Sequence, residues 1–242
     1  MKGLIPAAGM GTRLKPLTLA IPKELLMVGD KAVIEHVIEA FKKADITDIV
    51  IVVGWRKHAI LDYFGSGKRL DVNITYVVQD EQNGLAKAIE SGQRLINSDP
   101  FAVVLGDNYF FPNTFLKDII RFHEDKNSDC TVGVTKMKDV TSYGVIKPRE
   151  DRIIDIVEKP SQREAPSNLA CTGIYIFQPS IFEAITKTKP DKRDEYQLTD
   201  SIKIMVDEKK NVYYKELNGK HIDVGTIERL RMANKFYFNG SL

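Results

Sequence analysis

The sequence predicts an α/β protein: a doubly wound, mostly parallel mixed sheet with helices on both faces and an added antiparallel portion. Three observations carry this. Short apolar runs at residues 2–7, 48–54 (DIVIVVG) and 101–105 (FAVVL) read as strands covered on both faces. Between them, apolar residues fall at helical spacing, which calls for right-handed crossovers between parallel strands. After about residue 128 the texture changes to short strands joined by polar turns, the pattern of antiparallel structure.

In chain order, Ile34, Val37, Ile38 and Phe41 stand at i, i+3, i+4 and i+7 and predict a helix over 33–44. A short helix is expected over 57–64 and a strand over 72–78. Leu85, Ala88, Ile89, Gly92 and Ile96 mark a second amphipathic helix, and 114–123 a third. Strands are expected at 130–135, 143–147, 153–158 and 170–177, extending the sheet and walling one side of a site. A helix over 198–207, a strand over 212–217 and a helix from Thr226 to about Phe238 follow. No repeat or linker divides the chain, so one domain over 1–242 is expected, with halves meeting near residue 127.

Composition narrows the function classes. Of 242 residues, 43% are hydrophobic and 28% charged, ordinary for a soluble globular protein, and a net charge of +2 gives no nucleic-acid surface. No apolar run approaches the roughly 18 residues of a membrane span. The N-terminus enters a core strand at once, so no signal peptide is expected and a cytoplasmic location follows. Cys130 and Cys171 lie in apolar strand-like segments without metal spacing and read as reduced, buried thiols. The four scattered histidines disfavour a zinc site.

The densest motif is residues 3–23, GLIPAAGMGTRLKPLTLAIPK. An apolar strand empties into a glycine-rich loop beyond the strand ends, where doubly wound sheets bind ligands. Gly9 and Gly11 let backbone N–H groups approach phosphate oxygens, while Arg13 and Lys23 add a planar fork and a mobile point charge. No Gly-Lys-Ser/Thr follows, so this is not a Walker loop. Leu14 stands at the third position of GxGxxG, which disfavours a dinucleotide-binding dehydrogenase. Farther on, Gln79 ends a strand and offers a paired donor and acceptor. Asp107 in VLGDN emerges at a strand mouth, where one carboxylate suits Mg²⁺ and an Asx-turn suits it equally. Asp223 in HIDVGT precedes the last helix, as an N-terminal anion or a metal ligand.

AAGMGTRLKPLT followed by IPKELLMV, with LGDN and DVGT downstream, resembles the signature of sugar-1-phosphate nucleotidyltransferases over about residues 3 to 235. The resemblance implies that Ala8, Gly9, Gly11, Thr12, Arg13 and Lys23 hold a nucleoside triphosphate, and that Gln79 and Gly84 hold a uracil or thymine ring. It implies that Asp107 and Asp223 share one Mg²⁺. On the sugar-phosphate side, which makes up the second half of the chain, it implies contacts from Asn108, Gly144, Glu158, Lys159, Thr172, Gly173, Tyr175 and Arg193. The reaction implied is nucleotidyl transfer from a pyrimidine triphosphate to a sugar 1-phosphate, glucose 1-phosphate foremost, with pyrophosphate released. Arg13, Lys23, Asp107, Lys159 and Asp223 would carry it.

The motifs divide between two branches. Pro6-Ala7-Ala8 and QLTD at 197–200 resemble the bacterial UTP-glucose branch, whereas GLAKA, LGDN and DVGT resemble the thymidylyl branch. His221 stands where the thymidylyl branch usually has Trp. The expectation is therefore that dTTP and UTP both serve, with dTTP marginally ahead and uridylyl transfer as the alternative reading. A non-catalytic nucleotide-sugar-sensing paralogue is a remote alternative, since all five cation and carboxylate positions are filled. No nucleic acid or membrane partner is expected, and a homo-oligomer is compatible with the sequence.

Overall fold

The computed structural model describes residues 1–96 and 99–240. Its first half alternates strands and helices. β1 (Lys2–Ala7) is followed by a small hairpin of β2 (Met27–Val28) and β3 (Lys31–Ala32), then α1 (Val33–Lys43) and β4 (Asp48–Val53). Next come α2 (Lys57–Phe64), β5 (Asn73–Val78), α3 (Leu85–Ser91) and α4 (Gln93–Ile96). β6 (Phe101–Val104), β7 (Asn108–Phe111) and α5 (Phe115–Asp125) complete this half.

The second half holds β8 (Cys130–Lys136), β9 (Gly144–Arg149), β10 (Arg152–Glu158) and β11 (Leu169–Phe177). It continues through α6 (Ile181–Lys187), α7 (Leu198–Asp207), β12 (Val212–Glu216), β13 (Lys220–Asp223) and α8 (Ile227–Asn239). The helix expected over 85–96 is broken in two at Gly92.

Nine strands form one sheet in the order β5-β4-β1-β6-β11-β8-β12-β10-β9. β5, β4, β1 and β6 run parallel, as the crossovers through α1, α2 and α3 require. β11 enters antiparallel between β6 and β8, and β9 and β10 add an antiparallel pair at the far edge.

Strand alternation divides the core between two faces. Leu4, Val50, Val52, Phe101, Val103, Tyr175 and Phe177 face α3, α6 and α7, through Ile89, Ile181 and Ile202. Ile5, Ile49, Ile51, Val53, Ala102, Val104, Ile174 and Ile176 face α1, α2 and α5, through Ile38, Phe41, Ile60 and Leu116. Each large side chain buried in this way stabilises the fold by about 1.5–3 kcal/mol. Cys130 and Cys171 are both buried and free.

A third, smaller core fixes the last helix. Ala233 and Phe236 of α8 pack with Val28, Val33, Tyr109, Ile222 and Val224. That cluster seats α8 on the two-stranded ladder of β7 and β13, so the end of the chain is fastened beside its middle.

Candidate active site

A cleft of about 370 Å³ opens at the carboxyl ends of β1 and β6, reaching the mouth of the β9–β10 pair. It is built where the parallel half of the sheet meets the antiparallel half.

The two carboxylates are brought together by the β7–β13 ladder. Asp223 is register partner to Asn108, and the Val224 N–H donates to the Asp107 carbonyl at 2.9 Å. Residues 116 positions apart thereby stand side by side, and both line the cleft. Each has a resident cation. Lys23, on the short turn Lys23–Leu25, donates to Asp107 Oδ2, and Arg229 Nη1 donates to Asp223 Oδ2 at 2.6 Å. Burial opposes ionisation of Asp107, but Lys23 overcomes it and holds the carboxyl below its usual range. Burial and neighbouring Asp107 instead push Asp223 up. For Lys23, burial works against the charge, yet Asp107 and Glu24 hold the ammonium well above its ordinary value.

Glu24 did not stand out in the sequence. Its carboxyl is 1% exposed beneath Lys23, with Oε2 unpartnered, and burial pushes it up to about 7. A Glu after Pro-Lys gives no sign of burial, because its position depends on a short helical turn folded under the strand ends.

Of the nucleotide-side candidates, Ala8, Gly9, Arg13, Lys23, Gln79 and Gly84 line the cleft. Gly11 and Thr12 do not; Gly11 adopts φ +62°, its carbonyl accepts from Thr18 Oγ1 at 2.8 Å, and Thr12 is exposed. Gln79 is 6% exposed and its amide is held. Nε2 donates to Asn83 Oδ1 and to the Gly84 carbonyl, each at 3.3 Å, so both donors are engaged and Oε1 is left as an acceptor. Gly84 requires its lack of a side chain: at φ +114°, a Cβ would lie 2.4 Å from the Tyr196 carbonyl oxygen.

On the other side, β9–β10 register places Gly144 opposite Glu158. Glu158 Oε2 accepts from Thr199 Oγ1 at 3.0 Å, and Oε1 stands 2.9 Å from Lys159 Nζ. Gly144, Glu158, Lys159, Thr172, Tyr175 and Asn108 line the cleft. The Thr172 hydroxyl is turned away, donating to the Gly133 carbonyl at 2.9 Å, while its own carbonyl accepts from Asn108 Nδ2 at 2.8 Å. Gly173 forms the bulge that interrupts β8–β11 register, at φ +75°, and a Cβ there would stand 2.4 Å from Asn108 Nδ2.

Arg193 is not among the lining residues. Its guanidinium lies 3.1 Å from Asp191 and 3.1 Å from Glu195, while Glu195 and Gln197 do line the cleft.

His221 lines the cleft with its ring stacked on Phe110 at 4.9 Å, neither ring nitrogen having a partner. Burial pushes its pKa down to about 3, so the ring is neutral.

The whole-chain comparison decides the family. The Nucleotidyl transferase family model matches residues 2–240. The chain belongs to the nucleotidyl transferase family. It is 38% identical to the UTP–glucose-1-phosphate uridylyltransferase of Staphylococcus epidermidis, over 93% of this chain and 87% of the relative. The enzyme of the same name from Staphylococcus haemolyticus is 37% identical over the same shares. Among solved structures, a UDP-glucose pyrophosphorylase complexed with UDP-glucose superposes with TM-score 0.92 and 34% identity, covering 99% of this chain and 98% of that one. A putative glucose-1-phosphate thymidylyltransferase from Bacillus anthracis gives 0.90 and 33%, covering 99% and 96%. The mixed α/β sheet and the nucleotidyltransferase assignment expected from sequence are thus both met, and the chain is an enzyme of this family.

Proposed function

We propose that this nucleotidyltransferase moves a nucleotidyl group from a pyrimidine triphosphate, UTP or dTTP, to glucose 1-phosphate or a close analogue. The observation that carries this reading is the pairing of Asp107 with Asp223 beside Lys23, in a cleft also lined by the held Gln79 amide and the Glu158–Lys159 pair. The names of the curated relatives support the uridylyl form, and a structural neighbour supports the thymidylyl form.

The donor set suits Mg²⁺. Two hard carboxylates stand together, and among the described residues no group of three or more His, Cys, Asp or Glu could form a protein cage for a metal. Mg²⁺ is commonly bound by one or two carboxylates plus substrate phosphates, so Asp107 and Asp223 would hold it. Bound there, the ion would supply charge stabilisation to phosphate oxygens.

The chain's own residues do the rest. Gly9 brings backbone against the triphosphate, and Arg13 and Lys23 place positive charge on it. Gln79 Oε1 accepts from the ring N–H of uracil or thymine. Lys159 positions the sugar phosphate while Glu158 accepts from sugar hydroxyls. A sugar-phosphate oxygen, already anionic, forms the new bond to the α-phosphorus. The bond from the α-phosphorus to the bridging oxygen breaks, and pyrophosphate leaves with that electron pair. No general base is required; orientation of two anions and dispersal of their charge are the task.

The test is pyrophosphate release across five nucleoside triphosphates and several sugar 1-phosphates. UTP and dTTP are expected to serve within several-fold of each other unless the ribose is read separately, since their bases differ by a methyl group worth at most about 0.8 kcal/mol. Cytosine carries a bare nitrogen opposite Gln79 Oε1, and a mismatched buried polar contact costs about 1–3 kcal/mol. CTP should therefore be roughly 5- to 150-fold poorer in kcat/KM. CTP within threefold of the better substrate overturns the role of Gln79, and no pyrophosphate release from any pair overturns the reaction.

A further inference from the structure

Arg229 lies outside every motif that pointed to the cleft, yet it is bonded to one of the two central carboxylates. Three contacts fix it. Its backbone N–H donates to Thr226 Oγ1 at 3.3 Å, the cap of α8. Its guanidinium lies 5.3 Å from the Tyr143 ring centroid, and Nη1 donates to Asp223 Oδ2 at 2.6 Å. Arg229 does not line the main cleft; it lines a second cavity of about 230 Å³ that shares Tyr143, His221 and Asp223 with it. It therefore reaches Asp223 from the second cavity, while Lys23 holds Asp107 from within the cleft.

The charge balance has a consequence. Three cations, Arg13, Lys23 and Arg229, surround the two carboxylates. A free divalent cation entering there would add two positive charges to a compensated, partly buried site in which Asp223 Oδ2 is already taken by a guanidinium. A triphosphate brings its own negative charge and gives Arg13 and Lys23 another partner.

We propose that Arg229 is a gate on the metal site: it keeps one oxygen of Asp223 and the carboxylate's charge engaged, so that free divalent cation is refused and metal enters only with the triphosphate. Arg229 is a positioning residue in this role, acting through Asp223. The inference rests on the proposed metal placement at Asp107 and Asp223. It differs from simple bracing of a metal ligand by a neighbour, which would strengthen metal binding rather than oppose it.

The two roles have opposite signs in one measurement. Mn²⁺ is titrated into ligand-free protein and free ion is followed by electron paramagnetic resonance, so turnover is not needed. Arg229→Gln is expected to bind free Mn²⁺ at least about tenfold more tightly than the wild type, within the usual range of coupling between two ligands of one site. Arg229→Lys, which keeps the charge, should stay within about threefold of the wild type on the same scale. Adding Asp223→Asn to Arg229→Gln should abolish the gain. Arg229→Met serves in the same comparison if the Gln variant does not fold, as judged by circular dichroism. Unchanged or weaker Mn²⁺ binding in the charge-removing variants overturns the gate, as does a gain that survives Asp223→Asn. Absence of pyrophosphate release from the wild type would instead count against the proposed reaction and leave the Mn²⁺ comparison interpretable.

Discussion

Asp107 sits where a carboxylate is costly to bury, and it stays ionised because the Lys23 ammonium is bonded to it. Replacing it with Asn keeps the shape and an acceptor for Lys23 but removes the charge. Asp107→Asn is expected to fold, with unchanged near-ultraviolet circular dichroism, and to lose about 10³-fold in kcat with Mg²⁺, from several kcal/mol of lost charge stabilisation. Near-wild-type turnover in a folded variant would sink the metal assignment. The sequence made this residue conspicuous because Gly-Asp-Asn follows an apolar strand. Residue reading alone left it balanced between turn and metal ligand, and the neighbour at position 223 is brought beside it only by tertiary pairing. Arg229 and Glu24 were illegible for a related reason: their partners are fixed by tertiary placement, and no local spacing announces it.

At the scale of elements, the long periodic segments were readable. α1, α2 and α7 fall within a residue of their expected bounds, because a 3.6-residue apolar stripe is a local signal. The β7–β13 ladder was not read. NYFF and KHID are four residues each, partly polar, and pair across more than a hundred positions, so neither carries a pattern of its own. α6, seven residues after a Pro-Ser turn, is too short to show a stripe of its own.

The entry to α3 gives a prediction at this scale. Gly84 is its N-terminal cap at φ +114°, and the backbone of the 195–197 segment crosses directly above it: the Tyr196 N–H donates to the Asn83 carbonyl at 2.7 Å. Gly84→Ala must move that crossing or the helix start. A strained backbone costs about 1–3 kcal/mol. The variant should lose stability by that order in urea titration, and KM for the triphosphate should rise more than KM for the sugar phosphate. Wild-type stability and KM together would show that the close approach is not required.

Across the whole molecule, the division into a parallel first half and a largely antiparallel second half was legible from the change in texture near residue 128. The strand order was not. β11 crosses back between β6 and β8, so the second half is woven into the first, a non-local choice that strand patterns do not encode. One consequence of that weaving is that titratable groups are sealed into the core. His123 of α5 is 2% exposed, bonded through Nδ1 to Thr131 Oγ1 of β8 at 2.9 Å, with Nε2 unpartnered. Burial pushes its pKa down from 6.5 to about 4, so the folded state keeps the ring neutral where the unfolded state takes up a proton. Its contribution is therefore fully present above pH 6.5 and is lost as pH falls to about 4, amounting to about 3 kcal/mol. Glu24 works with the opposite sign: raised from 4.5 to about 7, it favours the folded state below pH 4.5 and loses that contribution as pH rises through 7. The two nearly offset in the wild type over this window, which hides both from a single stability curve. The difference between wild type and His123→Asn isolates the histidine. Unfolding free energies from urea titration between pH 7 and pH 4 should drop with acid in the wild type relative to the variant, the gap between the curves narrowing by about 2–3 kcal/mol. Parallel curves across that range would mean that the ring is protonated as readily in the folded protein as in the unfolded chain.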